Sequence, residues 1–247
     1  PPQMAHLSLL LNADRSKLSK RQGDVAVEDY RDKGFLPKAL VNFVALLGWS
    51  SGTEQEIFSI GELIDLFSLE RVSKSGSVFD LDKLNWMNGM YIREMDAETY
   101  AAFAVPFLKQ AGLDVSDSEK AAKIALSAQK NISRGEQLPE AVELFYSDEL
   151  KIEEEAALEV LKGESTREVL ELFLTKAAEL DSLDLQSFKG VMKEVQQESG
   201  VKGAGLWQPM RVAITGMTSG PELPVVIDIF GKNKVISFVK QTVDKYL

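Results

Sequence analysis

Apolar residues recur at helical spacing along most of this chain of 247 residues. Several of these stretches open on a residue whose side chain can accept a free backbone N–H of the first helical turn, namely Ser59, Asp80, Ser116 and Ser165. Pro106 falls inside one stretch and is expected to break or kink it. The pattern predicts helices or helical turns over residues 24–33, 37–47, 60–68, 80–94, 97–111, 116–131, 139–146, 153 onward, 165–180, 184–199, 208–215, 221–230 and 233–246.

The alternation that is typical of strands is scarce after residue 12. Before it, the apolar run at residues 6–11 predicts one strand, which leads into a basic loop and then a helix. These first residues cannot form a domain by themselves, so we interpret them as the end of an α/β domain. The predicted fold class is therefore mostly α: a short α/β remnant at the start, then a helical region and an all-helical remainder.

The basic loop concentrates charge in five residues, Lys17, Leu18, Ser19, Lys20 and Arg21. Lysine supplies a compact ammonium charge and arginine a planar fork of donors, and both bind phosphate oxygens well. A loop of this composition suits a polyphosphate ligand. On these five residues alone, a solvated basic loop without a ligand is the alternative interpretation.

The loop resembles the KMSKS-type signature of class I aminoacyl-tRNA synthetases, in the form KLSKR. Three later stretches resemble glutamyl-tRNA synthetases and follow in that family's order: GFLPKALVNFVALLGW at 34–49, FDLDKLNWMN at 79–88 and PMRVAITG at 209–216. GPEL at 220–223 and GK at 231–232 extend the last of these matches. Together the matches cover nearly the whole chain.

The resemblance implies a ligase that activates glutamate with Mg-bound ATP and attaches it to tRNA(Glu). All five loop residues would contact ATP, with Lys20 as the principal contact. Lys17 and Lys20 would act as catalytic residues, because fixed cations stabilise the charge that builds on the leaving pyrophosphate. Ser19 would shape the loop or donate to a phosphate oxygen, and Arg21 would support the nucleotide or the loop.

The chain has one histidine, His6, whereas the HIGH-type signature of class I synthetases needs two. We therefore expect this chain to be the C-terminal part of such an enzyme and to be inactive alone. The resemblance divides it into the end of a catalytic nucleotide-binding domain (1–23), a helical domain that contacts the tRNA stem (24–95) and two anticodon-binding subdomains (96–150 and 151–247). The seams near 95 and 150 are expected to within about ten residues.

For tRNA binding, the resemblance aligns Gln129, Lys130, Asn131 and Arg134 with the family's base-reading face. Family members that reject the glutamine tRNA carry an arginine in this neighbourhood, where Gln129 or Asn131 stands here. The expected partners are therefore tRNA(Glu), with tRNA(Gln) as an open second partner. The alternative interpretation of these residues is a solvated helix end.

A second set of tRNA contacts is predicted near the C-terminus. Lys202, near Lys193 and Arg211, is a candidate for binding backbone phosphates. Trp207 follows a glycine-rich approach and stays open as a base-stacking residue. Trp86 belongs to the apolar stripe of the helix over 80–94, and we interpret it as a core residue.

Composition and charge limit the class of protein and the kinds of site that this chain can have. The chain is 45% hydrophobic and 27% charged, which fits a globular protein, and it has no cysteine for a disulfide, a thiol nucleophile or a thiolate-bound metal. No apolar run approaches the roughly 20 residues of a membrane helix, and no signal-peptide pattern opens the chain. A net charge of −10 argues against diffuse nucleic-acid binding. We expect a monomer without a metal site or a membrane partner, in the cytoplasm or an organelle matrix.

Two other functions compete with the ligase. A helical adaptor could bind RNA or a protein without any ligase activity. The related glutaminyl enzyme would share the basic loop, but its anticodon domain is usually a β-barrel, and the helical second half of this chain argues against it.

Overall fold

The computed structural model describes residue 4, residues 7–19 and residues 26–247. Over these residues the chain is mostly helical, which confirms the predicted fold class. Two short strands, β1 (Leu10–Leu11) and β2 (Ser77–Val78), pair in parallel with Leu10 opposite Ser77. The helices are α1 (Val27–Asp32), α2 (Pro37–Leu46), α3 (Ile60–Leu66), α4 (Leu81–Arg93), α5 (Ala97–Gln110), α6 (Ser118–Ala128), α7 (Leu138–Ala141), α8 (Glu143–Tyr146), α9 (Glu155–Leu161), α10 (Thr166–Ala178), α11 (Leu185–Ser199), α12 (Ala204–Thr215) and α13 (Leu223–Tyr246). Single 3-10 turns cover Leu69–Arg71 and Gly135–Gln137.

The polypeptide folds into two compact units. The first takes the chain up to Gly112 together with Gln129–Glu140, and the second takes Leu113–Ala128 and Ala141–Leu247. The division into four functional parts at 1–23, 24–95, 96–150 and 151–247 stays a prediction.

The first unit has an aromatic core between α2 and α4. Tyr30, Phe43 and Leu84 are buried there, and the rings of Phe43 and Phe79 meet edge to face at 5.0 Å. This core also contains a buried polar residue, Asn42. Its Oδ1 atom accepts hydrogen bonds from the backbone N–H of Phe58 at 2.8 Å and from the Tyr91 hydroxyl at 2.6 Å.

The second unit packs α10, α11, α12 and α13 together. The helix α13 contains one non-helical residue, Gly231, with φ 65° and ψ 178°, so the two predicted helices over 221–230 and 233–246 meet there. The next residue, Lys232, donates to the carbonyls of Ala178 at 3.0 Å and Leu180, which lie at the end of α10. A cation at this position satisfies carbonyls that the helix itself leaves free.

Capping follows the sequence pattern at two of the four predicted helix starts. Ser59 accepts the N–H of Glu62 at 3.1 Å, and Asp80 accepts the N–H of Lys83 at 3.0 Å, as predicted. At the start of α6 the cap is Asp117, one residue after the predicted Ser116. The predicted cap at Ser165 is wrong, since its side chain makes no capping hydrogen bond.

Some predictions of burial and continuity are wrong. Trp86, predicted to lie in the core, is 43% exposed. Helical spacing shows which residues share a face, but it does not show how wide the buried strip on that face is. Pro106 lies inside α5, which continues through it, and α12 begins at Ala204, four residues before the predicted start. No helix in the described part of the chain is both long and apolar enough to span a bilayer.

Candidate functional site

The strand β1 turns back on itself in a tight hairpin, residues 10–18, that ends within the basic loop. The N–H of Asn12 donates to the carbonyl of Ser16 at 2.8 Å, and the N–H of Leu18 donates to the carbonyl of Leu10 at 3.0 Å. Lys17 pairs with Leu11, the second residue of β1, in an antiparallel β-bridge. The start of the KLSKR segment is therefore attached to the strand by its backbone.

Polar side chains shape the tip of this hairpin. The Asp14 carboxylate accepts hydrogen bonds from the N–H of Ser16 at 2.8 Å and from its hydroxyl at 2.6 Å. These bonds favour the charged carboxylate and lower the pKa of Asp14. Asn12 Nδ2 donates to the same hydroxyl at 2.9 Å. Arg15 takes a φ of 65°, a left-handed value that few residues other than glycine adopt.

The structure describes the first three residues of the predicted ATP loop. The side chain of Lys17 is exposed, while Leu18 and Ser19 are half-buried. Lys20 and Arg21 lie outside the described residues, and so does His6. The exposed ammonium of Lys17 is available to an anionic ligand, in the place where the KLSKR resemblance puts one.

The predicted tRNA-binding residues lie in one segment, residues 129–134, that runs past the end of α4. Gln129 Nε2 donates to the carbonyls of Ile92 and Met95, each at 2.9 Å. These carbonyls lie at the C-terminal end of α4, where the last carbonyls of a helix lack N–H donors from a following turn. The amide nitrogen of Gln129 is therefore engaged within the chain.

The other three predicted residues differ in exposure. Lys130 and Asn131 have exposed side chains. The side chain of Arg134 is only 25% exposed, and its guanidinium donates to Asn85 Oδ1 at 2.8 Å and to the carboxylate of Glu136. The exposed Lys130 and Asn131 therefore lie between Gln129 and Arg134, whose side chains hydrogen-bond to other residues of the chain.

The structure adds residues on α4 that the sequence analysis missed. Trp86 and Arg93 are both exposed and lie two turns apart on the helix. A Cβ atom placed on Gly89 between them would lie 3.0 Å from Arg93 Nη1 and 3.4 Å from Ser133 Oγ. The guanidinium and the hydroxyl therefore converge over this glycine. Arg93 offers a cation for a phosphate, and the exposed indole of Trp86, two turns away on α4, offers a face on which a base can stack.

A third missed residue is Asn88, whose side chain is fully buried in α4. It bonds the backbones of two remote loops, at Leu36 and Ser133. The only signal in the sequence is a pair of polar residues, Asn85 and Asn88, in a helix whose neighbouring positions are apolar.

The three residues predicted to bind phosphates near the C-terminus differ in how far their side chains are exposed. Lys193 and Lys202 are exposed, whereas Arg211 is half-buried and donates to the carbonyl of Pro221 at 3.0 Å. Trp207 is 40% exposed and packs on the ring of Phe188 at 6.3 Å. Among the residues that the structure describes, no three His, Cys, Asp or Glu side chains converge on a point that could hold a metal ion.

Two known protein families match this chain, one over its first part and one over its second. Residues 1–86 match the family described as tRNA synthetases class I (E and Q), catalytic domain, and residues 99–242 match the family described as anticodon binding domain. The hairpin falls within the first match and the 129–134 segment within the second.

Curated relatives extend the likeness across the chain. Glutamate–tRNA ligase 1 of Caldicellulosiruptor saccharolyticus is 41% identical over 240 residues, covering 95% of this chain and 50% of that protein. The glutamate–tRNA ligase of Halalkalibacterium halodurans is 46% identical over 241 residues, with the same coverage of 95% and 50%. The chain thus spans about half the length of the curated relatives it matches.

A solved structure shows the same fold. The crystal structure of a glutamate tRNA ligase from Elizabethkingia meningosepticum, in complex with its amino acid, superposes with a TM-score of 0.83 at 26% identity. The match covers 100% of this chain and 52% of that one. Because the anticodon-binding match alone takes in more than half of the chain, and the relatives align continuously with nearly all of it, this protein belongs to the glutamate–tRNA ligase family of class I aminoacyl-tRNA synthetases.

Proposed function

We propose that this chain supplies the ATP loop and the tRNA-binding half of an enzyme that activates glutamate and attaches it to tRNA(Glu). The observation that carries the proposal is the continuity of the likeness, since identity of 41–46% extends over about 95% of the chain. That range includes both the KLSKR segment and the 129–134 segment. No observation favours a helical adaptor without ligase activity.

In the proposed activation step, a carboxylate oxygen of glutamate bonds to the α-phosphorus of ATP, and the bond to the leaving pyrophosphate breaks. Negative charge builds on the pyrophosphate as it leaves. Lys17 and Lys20 would stabilise that charge as fixed cations, with Lys20 as the principal contact and no proton transfer required. Leu18, Ser19 and Arg21 would complete the loop around the phosphates.

Magnesium would arrive bound to ATP, since phosphate oxygens and water are its usual ligands. The HIGH-type signature needs two histidines, and the chain has one. We therefore propose that the activation step needs residues beyond this chain and that the chain alone does not catalyse it.

In the proposed tRNA complex, the exposed residues of the 129–134 segment contact the anticodon. Lys130 offers a cation to a phosphate, and Asn131 offers an amide that can both donate to and accept from a base edge. Gln129 and Arg134 would hold the segment in place and contact RNA only at its margin. Trp86 and Arg93 extend the same face along α4, where they would contact the tRNA stem.

The same proposal covers which tRNAs the chain binds, its oligomeric state and its compartment. The arginine that the resemblance implies in family members that reject the glutamine tRNA has no counterpart at Gln129 or Asn131, so tRNA(Gln) is included as a second substrate tRNA. A monomer in the cytoplasm, or in an organelle matrix, is the setting in which we expect this chain to act.

The experiment that tests the tRNA role is binding of the chain to unmodified transcripts of the glutamate and glutamine tRNAs at low and moderate salt. We expect binding that weakens with salt, because phosphate contacts release counterions. Lys130→Ala should lower the affinity about fivefold, the size of one contact of about 1 kcal/mol. Lys74→Ala, which removes an exposed lysine from a different loop, is the matched control.

The outcomes separate the alternatives. Binding that prefers the glutamate tRNA and weakens when its anticodon is changed supports a selective anticodon contact. Equal binding of both tRNAs supports the wider partner range. A chain that is folded by circular dichroism and binds neither transcript would overturn the proposal that this half recognises tRNA by itself.

A further inference from the structure

A single buried asparagine holds two remote loops by their backbones. The side chain of Asn88 is 0% exposed, and its Oδ1 atom accepts the N–H of Leu36 at 2.8 Å. Its Nδ2 atom donates to the carbonyl of Ser133 at 2.5 Å and to that of Gly34 at 3.4 Å. Both ends of the amide are thereby used, and Nδ2 bonds both loops.

The two loops also contact each other without side chains between them. The N–H of Gly135 donates to the carbonyl of Gly34 at 3.3 Å, and the N–H of Glu136 donates to the carbonyl of Lys33 at 3.1 Å. A Cβ atom on Gly34 would lie 2.4 Å from the Gly135 nitrogen, and one on Gly135 would lie 2.3 Å from the Phe107 ring. At Gly34 the clash is with backbone and φ is left-handed, so only glycine fits, whereas a side chain at Gly135 would have to displace the Phe107 ring.

We call Gly34, Asn88, Ser133 and Gly135 the joint. It lies at one end of the 129–134 segment, two residues after Asn131. At the other end, Gln129 is bonded to the carbonyls that end α4. The segment is therefore attached to α4 at both ends, with Lys130 and Asn131 exposed between the attachments.

We propose that Asn88 is a positioning residue for tRNA selection. It touches no RNA; it fixes the backbone that presents Lys130 and Asn131, and through them it determines how well the segment distinguishes one anticodon from another. This inference rests on the proposed function of the segment. Base recognition depends on hydrogen-bond geometry, so a displacement of about 1 Å at the backbone costs discrimination.

The burial of Asn88 supports a role in placement. An apolar side chain could fill the same space without desolvating an amide, which costs free energy unless every polar atom is paired. Here both polar atoms of the amide are paired, and their partners are backbone groups of two loops, at Gly34 and Leu36 in one and at Ser133 in the other. Paired in this way, a buried polar group specifies one arrangement of the segments around it.

Asn42 offers a matched control for a purely structural role. It is also 0% exposed and lies in the same unit, on α2. Its hydrogen bonds, to Phe58 and Tyr91, do not involve the 129–134 segment. Removing it disturbs the same core while leaving the attachment of the segment intact.

The test compares Asn88→Ala with Asn42→Ala in the full chain. For each variant, the affinity is measured for the glutamate tRNA transcript and for the same transcript with a changed anticodon. The midpoint of thermal unfolding of each variant is measured as well. We expect both variants to melt lower, and only Asn88→Ala to reduce the ratio of the two affinities, by about tenfold.

A second variant guards against loss of the fold. Asn88→Ser adds no charge to the buried site, and its single hydroxyl replaces an amide that bonds both Leu36 and Ser133. We expect it to reduce the ratio while the circular dichroism spectrum stays unchanged.

Two results would overturn the inference in different ways. If the Asn88 variants melt lower and keep the affinity ratio of the unaltered chain, the residue is structural only. If the unaltered chain binds tRNA with no anticodon preference, the proposed function of the segment fails first, and the positioning role fails with it.

Discussion

The hairpin at residues 10–18 and the 129–134 segment are built by opposite means. In the hairpin, the side chains that shape the tip bond to residues two to five positions away, as Asp14 and Asn12 do with Ser16. The segment is held by residues 34 to 49 positions away in the chain, through Gln129, Asn88 and Arg134. The first set of bonds is exposed and the second is partly buried.

The difference in burial implies a difference in behaviour. Exposed hydrogen bonds compete with water and contribute little each, so a hairpin that depends on them can change shape at small cost. Buried bonds between distant segments are lost only when several elements separate together. The first design would serve the proposed ATP loop, and the second would serve the proposed anticodon contact.

The largest effect is expected at the joint. Gly34→Ala combines a left-handed φ of 81° with a Cβ atom 2.4 Å from a backbone nitrogen. We expect it to lower the free energy of unfolding by about 3 kcal/mol, as strain and overpacking add. Gly112→Ala has a similar φ of 78° with no atom within 4 Å, and it should cost about 1 kcal/mol. Equal losses in chemical denaturation would show that the close approach at Gly34 is unimportant.

A smaller effect is expected at the other attachment. Gln129→Glu replaces a donor with a carboxylate that faces the carbonyls of Ile92 and Met95. Because the C-terminal end of a helix is negative, we expect a loss of about 2 kcal/mol at neutral pH. Gln129→Met, which removes the donor without adding charge, should cost about 1 kcal/mol. Thermal unfolding at neutral and acid pH checks this, since protonating the new carboxylate should bring the two variants together.

The ion pair and the hydrogen bond of the Arg134 side chain should contribute less stability again. Its guanidinium bonds Asn85 and Glu136 from a side chain that is 25% exposed. Arg134→Gln should therefore cost about 1 kcal/mol. Arg167→Gln removes an exposed pair with Glu171 one turn away in α10, and should cost about 0.3 kcal/mol. If thermal unfolding shows the same loss for both, the partial burial of Arg134 adds nothing to the attachment of the segment.

The helices and the basic loop could be predicted because their signals are local. Capping at Ser59 and Asp80 depends on residues three positions apart, and the KLSKR segment is contiguous. The resemblance to a known family rested on motifs of the same contiguous kind. Burial was harder, since the exposed Trp86 shares its helix with buried residues such as Met87 and the sequence pattern does not separate them.

The joint could not be predicted, because its bonds connect residues far apart in the chain. Asn88 lies 52 positions from Leu36 and 45 from Ser133. No periodic pattern links such positions, and a polar residue on a helix is usually solvated. The pairing of Gly34 with Gly135 is a contact between two backbones, and each glycine alone predicts only a turn.

The smallest expected effect is the protonation of Asp14, which should change only the hairpin as the pH is lowered. Asp14 has a pKa below its ordinary value of 3.8, because its carboxylate accepts two hydrogen bonds from Ser16. A lowered pKa in the folded chain means that this interaction is fully present above pH 3.8 and is lost as the pH falls through the lower folded value. The amide proton shift of Ser16 should therefore titrate by NMR with a midpoint below 3.8.

Asp14→Asn should abolish this titration, since an amide has no proton to gain in that range. The N–H of Leu36 bonds the neutral amide of Asn88, so its shift should stay constant over the same range. A midpoint at or above the ordinary value would mean that Ser16 does not stabilise the charged carboxylate. A matching change at Leu36 would mean that the hairpin and the joint respond to acid together, and the contrast between a locally shaped loop and a segment fixed from a distance would be wrong.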